Sequence, residues 1–286
     1  MSRAEPSKPG LELLLRTLKL PGFVAHYEEV GRAAEKEGWS FETYLRQLVE
    51  LEASERRDRR ITRMQKQSGL SPDKTLETLD LSKLPVKVRR QLPRLCEGGF
   101  LADASNVLAF GLPGRGKTHL LSAIGHELVE RGHKVLFRPT ALLVQQLLIA
   151  KRELRLEHEL KRLDRYEAVI LDDIGYVQQD REEMEVLFTF LAARYERRSV
   201  LITSNLLFSE WERIFKDPMT TAAAIDRLVH HSVILELTGR SVRAEAAKMR
   251  ADEVTRGKGV ASKRKASKAR NPQEIRSATT NPSGEF

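Results

Sequence analysis

The sequence predicts an α/β chain: an all-helical N-terminal module, then a larger domain built on a parallel sheet flanked by helices. Three observations carry that expectation. Residues 10 to 67 show helical periodicity with no strand signal. From Asn106 onward, five short β-rich runs alternate with helical segments, as βα units require. A glycine-rich loop joins the first of those runs to the helix after it.

In the N-terminal part, Leu11, Leu14, Leu15 and Leu18 lie on one helical stripe, and the Leu-Pro-Gly at 20–22 breaks the chain. A second helix is expected over about Phe23 to Glu35, and Ser40 is placed to N-cap a long third helix running toward Lys66. On that helix, at 100° per residue, Arg56, Arg59, Arg60 and Arg63 fall within an arc of about 100°. Phe41, Leu45, Leu48 and Val49 share nearly the same azimuth. The first half of this stripe is expected to pack on the helical bundle. Its second half would present arginines to an anion, either DNA phosphate or an acidic neighbouring subunit; the alternative is a solvated basic face. Residues 68 to 104, with Pro72, Pro85, Pro93 and the Gly98-Gly99 pair, read as a connector with short helices. The five β-rich runs are NVLAFG, KVLFRP, AVILD, SVLITS and SVILEL.

Composition sets the bounds. At 286 residues and 41% hydrophobic, the chain can bury a real core, which excludes wholesale disorder. One cysteine, Cys96, excludes an intrachain disulfide and reads as a small packed residue; a reducing cytoplasm fits. The N-terminal apolar stretch is interrupted by Glu12, Arg16 and Lys19, so neither a signal-peptide core nor a membrane span is expected there. The net charge of +9 is unevenly placed: residues 255–286 hold eight Lys/Arg and two acids, a surplus of +6. With almost no large apolar residue, that tail is expected to be disordered, either a solubilising extension or a basic arm for phosphates. The expected organisation is a helical domain at 1–70, a helical connector at 71–104, an α/β domain at 105–250 and a basic tail at 251–286.

The strongest motif is Gly111-Leu-Pro-Gly-Arg-Gly-Lys117-Thr118, a complete G-x-x-x-x-G-K-[ST] between an apolar run and a helical one. Gly111, Pro113, Gly114, Arg115 and Gly116 form the loop whose N–H groups turn inward around phosphate oxygens. The helix start, with Lys117, Thr118 and His119, adds partial positive charge. Lys117 is expected to reach the β- and γ-phosphates, and Thr118 to ligate Mg²⁺ through its hydroxyl. The apolar run at 168–171 ends in Asp172 and Asp173, a Walker B arrangement. Asp172 would hold Mg²⁺ and Asp173 would orient or deprotonate the attacking water, although paired acids after a strand also cap helices. Asn205, just past the run at 199–204, is placed to hold that water or the γ-phosphate; its alternative is a helix cap. Arg227, before the last run, is placed to reach a neighbouring subunit's γ-phosphate, the alternative being an ion pair with Asp226 or another acid. His126-Glu127 opens a zinc-protease motif that fails at Glu130, and His230-His231 has no evident further ligands, so it reads as structural or interfacial.

Together these residues resemble the IstB-like transposition helper ATPases, relatives of the bacterial helicase loader DnaC within the AAA+ group. The likeness spans about residues 10 to 245. It rests on LKLPGFVAHYEE and WSFETYLRQLVELEASERRDRR, then on GLPGRGKTHL, RYEAVILDDIGY, ARYERRSVLITSNLLFSEW and AAAIDRLVHHSVILELTGRSVR. The resemblance implies a P-loop AAA+ core with parallel strand order 5-1-4-3-2. It also implies ATP and Mg²⁺ as cofactors, ATP-dependent self-association on double-stranded DNA, and a transposase partner encoded by the same insertion sequence. It makes Lys117 and Thr118 the Walker A pair, Asp172 and Asp173 Walker B, Asn205 sensor 1 and Arg227 the arginine finger. Two departures stand out. Many relatives have Asp-Glu at Walker B, where this chain has the shorter Asp173. Relatives often read GxSYR where this chain has Gly239-Arg-Ser-Val-Arg243, which leaves Arg243 unassigned. The stretch after SVILEL is too short for a separate lid domain. The expected function is an ATP-hydrolysing, cytoplasmic transposition helper. A DnaC-like helicase loader and a weakly hydrolysing, ATP-switched DNA scaffold are the alternatives.

Overall fold

The computed structural model describes residues 9–176, 181–215 and 217–238; the basic tail and Arg243 lie outside the described residues. Three helices form the N-terminal module: α1 (Pro9–Thr17), α2 (Pro21–Glu37) and α3 (Phe41–Ser68). Proline opens α2, where a missing N–H is no loss, and Gly38 closes it in a left-handed conformation. Ser40 caps α3 as expected, its hydroxyl accepting the Thr43 N–H at 3.2 Å.

α2 has no side-chain cap of its own. Its cap comes from α3 instead: the Glu52 carboxylate accepts the Gly22 N–H at 2.6 Å. The two helices cross so closely there that a Cβ on residue 22 would lie 3.0 Å from the Glu52 Cα, which only glycine avoids. Glu52 is buried, and Arg56 answers its charge with an Nε–H bond of 2.6 Å, while Arg59 stands 3.6 Å away. Arg56 also donates to the Lys19 carbonyl at 2.7 Å, tying the α1–α2 turn to α3. Burial pushes the Glu52 carboxyl up, but hydrogen bonds from Arg56 and Gly22 outweigh it and hold the group below the usual carboxylate range.

The apolar half of the α3 stripe departs from expectation. Leu48 is buried, but Phe41 is 94% exposed, and Leu45 and Val49 are more than half exposed. The reason is rotational. Tyr44, whose hydroxyl donates to the Tyr27 carbonyl at 3.3 Å, Leu48 and Glu52 form the i, i+4 row that meets α2, which turns Leu45 and Val49 outward and leaves Phe41 at the helix end. On α1, Leu15 is half-buried, whereas Leu11, Leu14 and Leu18 of the predicted stripe are exposed.

The connector contains α4 (Val86–Glu97), whose Val88, Leu92, Leu95 and Cys96 are buried in a core shared with the following domain. Burial drives the Cys96 thiol up to about 11, consistent with a packed, unreactive side chain. Five strands follow: β1 (Asn106–Phe110), β2 (Val135–Pro139), β3 (Ala168–Asp172), β4 (Ser199–Ser204) and β5 (Ser232–Glu236). They are all parallel, in the order 5-1-4-3-2. Interleaved with them are α5 (Lys117–Glu130), α6 (Thr140–Arg152), α7 (Leu156–Leu163), α8 (Arg181–Arg194), α9 (Glu212–Phe215) and α10 (Pro218–Val229). The chain is described only to Thr238, and among the described residues no lid domain follows β5.

Helices cover both faces of the sheet, so the strands read as continuous apolar runs. On β1, Val107 and Ala109 face the core built by α4 and α5, while Leu108 and Phe110 face the one built by α6, α8 and α10. At the N-terminal ends of the strands, buried Arg194 donates to the carbonyls of Leu163 at 3.0 Å, Tyr166 at 2.9 Å and Ser199 at 3.0 Å. Burial lowers its pKa to about 9, which leaves it charged at neutral pH. The opposite edge of the sheet, where the strands end, is where ligands gather in open parallel sheets.

Glu52→Gln should destabilise the helical module by about 1–3 kcal/mol at pH 7, because the α2 amide and the arginine lose a charged acceptor. Because the folded carboxyl titrates below its unfolded value, its contribution is present above the unfolded pKa and disappears as pH falls through the folded pKa. Denaturant titrations of both proteins across acid pH check the size and the sign.

Candidate nucleotide site

The loop after β1 turns through Gly111–Gly116 into α5. The chain leaving β5 runs so near its start that a Cβ on residue 111 would sit 2.6 Å from the Leu237 carbonyl oxygen, so only glycine fits. Gly114 and Gly116 take φ of +77° and +85°, and Gly116 leads directly into α5, aiming the first-turn amides of the helix at the loop. Lys117 is buried, with Nζ donating to the carbonyls of Gly111 at 2.6 Å and Leu112 at 3.1 Å.

The Walker A and Walker B residues meet through one oxygen. Thr118 Oγ1 donates to Asp172 Oδ1 at 2.7 Å, and Thr203 Oγ1, from β4, donates to the same oxygen at 2.7 Å. The Thr203 hydroxyl also accepts the Asp173 N–H at 2.7 Å, where Asp173 adopts a left-handed φ of +62°. From the far side, the Thr140 hydroxyl donates to the Asp172 carbonyl at 2.9 Å. Asp173 and Asn205 line a cleft of about 400 Å³ with the loop and the start of α5. Asn205 Oδ1, packed against Gly175, and the Arg115 Nε and Nη1 atoms are buried without hydrogen-bond partners among the described residues. A cleft walled by loop amides, a lysine and an unsatisfied guanidinium is suited to polyphosphate. A hydroxyl and a carboxylate side by side are the hard oxygen donors that magnesium takes.

His119 lines this cleft but also faces the connector, its Nε2 lying 3.1 Å from both the Thr75 carbonyl and Thr78 Oγ1. One face further along α5, His126 Nε2 meets the Ser71 carbonyl at 2.9 Å, which accounts for the residue that opened the failed zinc motif. The two histidines strap the connector along α5, and the strap carries Lys74 into the cleft wall. Sequence reading missed Lys74. The available signal was the seven-residue spacing of two histidines on one face of a phosphate-loop helix.

Other predicted residues lie elsewhere. Arg227, on α10, is not part of the cleft wall. Its guanidinium lies 4.6 Å over the Phe188 ring, and its buried Nη1 has no hydrogen-bond partner among the described residues, in place of an ion pair with Asp226. In the arginine stripe, Arg56 and Arg59 serve Glu52, Arg60 reaches the Gly132 carbonyl at 3.4 Å, and Arg63 is exposed. His230 and His231 are exposed at the opposite end of the sheet with Tyr195, whose hydroxyl is 3.1 Å from His230 Nδ1, and Glu196.

A family model for the IstB-like ATP binding protein matches residues 13–250. The chain belongs to that family. An insertion sequence ATP-binding protein of Sinorhizobium fredii is 43% identical over 238 residues, covering 83% of this chain and 80% of the relative. The IS21 ATP-binding protein of Pseudomonas aeruginosa is 38% identical over 233 residues, 82% of this chain and 88% of its own. Among solved structures, AMPPCP-bound DnaA from Aquifex aeolicus matches with a TM-score of 0.51 over 65% of this chain and 56% of that one. At 18% identity that is a likeness of fold alone. Among the described residues of this IstB-like chain, no helix is long and apolar enough to cross a membrane.

Lys74→Ala should weaken ATP binding by about fivefold, the effect of one partly solvated charge on phosphate, while Lys74→Arg should stay near wild type. Titration with a fluorescent ATP analogue checks both.

Proposed function

We propose that this IstB-like chain is an ATP-hydrolysing transposition helper. It binds ATP with Mg²⁺ in the cleft, self-associates on double-stranded DNA, engages the transposase of its insertion sequence, and resets by hydrolysis. The observation that carries this reading is the convergence of Thr118 and Thr203 on Asp172 Oδ1 at a cleft that Asp173 and Asn205 also line. The names of its relatives, insertion sequence ATP-binding proteins, favour a transposition helper over a helicase loader.

In this reading Lys117 exchanges the Gly111 and Leu112 carbonyls for phosphate oxygens, and Arg115 and the loop amides hold the rest of the polyphosphate. When bound by Thr118 and Asp172, magnesium neutralises phosphate charge. Asp173 takes the proton of the attacking water, and Asn205 orients that water or the γ-phosphate. Arg227 acts on the site of a neighbouring subunit, a role that its position outside its own cleft supports. Phe188 would hold the guanidinium plane while the charge is presented. For DNA, Arg63 is the freest member of the stripe, because Arg56 and Arg59 neutralise a buried carboxylate. A second reading, an ATP-switched scaffold with little turnover, is favoured by Asp173, whose carboxylate is one methylene shorter than glutamate. ATP turnover with and without DNA separates the two readings.

Lys117→Ala should abolish ATP-dependent assembly in sedimentation experiments. Arg227→Ala should keep nucleotide binding but lose turnover by about 10³-fold; full activity in that variant removes the finger assignment. Arg63→Glu should reduce both DNA affinity and the slope of its salt dependence, and unchanged values of both discard the stripe as a DNA surface.

A further inference from the structure

Thr203 was no part of the motif reading, yet it is 1% exposed and both capacities of its hydroxyl are committed at the site. It donates to Asp172 Oδ1 and accepts from the Asp173 N–H, each at 2.7 Å. The amide it accepts belongs to a residue with φ of +62°, a conformation that side chains other than glycine avoid unless their surroundings impose it. The oxygen it donates to is the one that Thr118 also holds. Two hydroxyls from separate elements therefore fix the rotation of the Asp172 carboxylate, and one of them also fixes the backbone turn from which the Asp173 carboxylate projects. β4 lies between β1 and β3 and supplies the hydroxyl from within the sheet, so its position is set by the strand register and not by a loop.

We propose that Thr203 is a positioning residue for the Walker B pair, setting Asp172 for magnesium and Asp173 for the attacking water through a single hydroxyl. The proposal rests on the nucleotide-site reading above. A purely structural Thr203 would need only its shape, which valine reproduces, whereas a positioning role needs the oxygen, which serine retains.

The test uses the full-length chain and three variants, Thr203→Val, Thr203→Ser and Thr203→Ala. Thermal melting, binding of a fluorescent ATP analogue in EDTA and across a Mg²⁺ titration, and ATP turnover are measured for each. Thr203→Val should bind the analogue in EDTA like wild type, need about tenfold more Mg²⁺ for half-saturation, and turn over at least about tenfold more slowly, the effect of one hydrogen bond to a charged group. Thr203→Ser should restore both values to within about twofold. Wild-type magnesium dependence in Thr203→Val, or a serine variant as impaired as valine, overturns the proposal. If valine prevents folding, the serine and alanine variants decide: alanine matching serine overturns the assignment, and alanine alone needing about tenfold more Mg²⁺ supports it. If wild type itself shows no turnover, the magnesium titration alone decides. If wild type and Lys117→Ala bind the analogue equally, with or without Mg²⁺, the nucleotide-site reading has failed; if they differ and Thr203→Val matches wild type, only Thr203 has.

Discussion

One carboxylate oxygen, Asp172 Oδ1, organises the site. It draws in Thr118 from the phosphate-loop helix and Thr203 from the central strand β4, so three distant stretches of sequence meet at one oxygen. That arrangement depends on the strand order. Only where β1, β4 and β3 lie side by side does the loop after β1 open next to the acids that end β3, with a hydroxyl from β4 between them. The two cores above and below the sheet pack against this register, and Arg194 is bonded to carbonyls at the other end of the strands.

The N-terminal module repeats the same logic with a different carboxylate. Glu52 caps a helix it does not belong to, and its burial obliges Arg56 to stay with it. Half of an apparently free basic face is thereby occupied with holding the module together. Between the two units, the connector is fastened to α5 by His119 and His126 and contributes α4 to the core of the sheet domain. The nucleotide cleft is thus walled partly by a residue, Lys74, that precedes the sheet domain in sequence.

Much of this was legible in advance because short-range physics dictates it. The Ser40 cap, the break at Pro21, the five apolar strands and the strand-loop-helix around Lys117 are all written within a few neighbouring residues. The strand order came by resemblance, since neither periodicity nor spacing determines which parallel strands become neighbours. What stayed hidden depends on long-range contact. Lys74 reaches the cleft only because two histidines on a later helix hold its backbone. Thr203 matters only because β4 falls between two particular strands. The exposure of Leu45 and Val49 follows from a helix rotation that Gly22 and Glu52 select, and a helical wheel drawn for α3 alone contains neither partner. In the same way, Arg227 invited pairing with its neighbour in sequence, Asp226, and instead found an aromatic ring on another helix.

The close approach of β5 to the first glycine of the loop has a mechanical meaning. α10, which carries Arg227, is followed after only His230 and His231 by β5, and Leu237, the residue after β5, sets its backbone against Gly111. Leu237 is further bonded to the Phe110 carbonyl at 2.8 Å, and Gly111 to the Ser204 carbonyl at 3.2 Å. The phosphate loop and α10 are therefore linked, like the two ends of a lever, through the five residues of β5. A displacement at one end would have only that strand and the two histidines through which to reach the other. In an assembly where each arginine serves the next subunit's cleft, such a lever would relay the state of one nucleotide to its neighbour without a dedicated moving part.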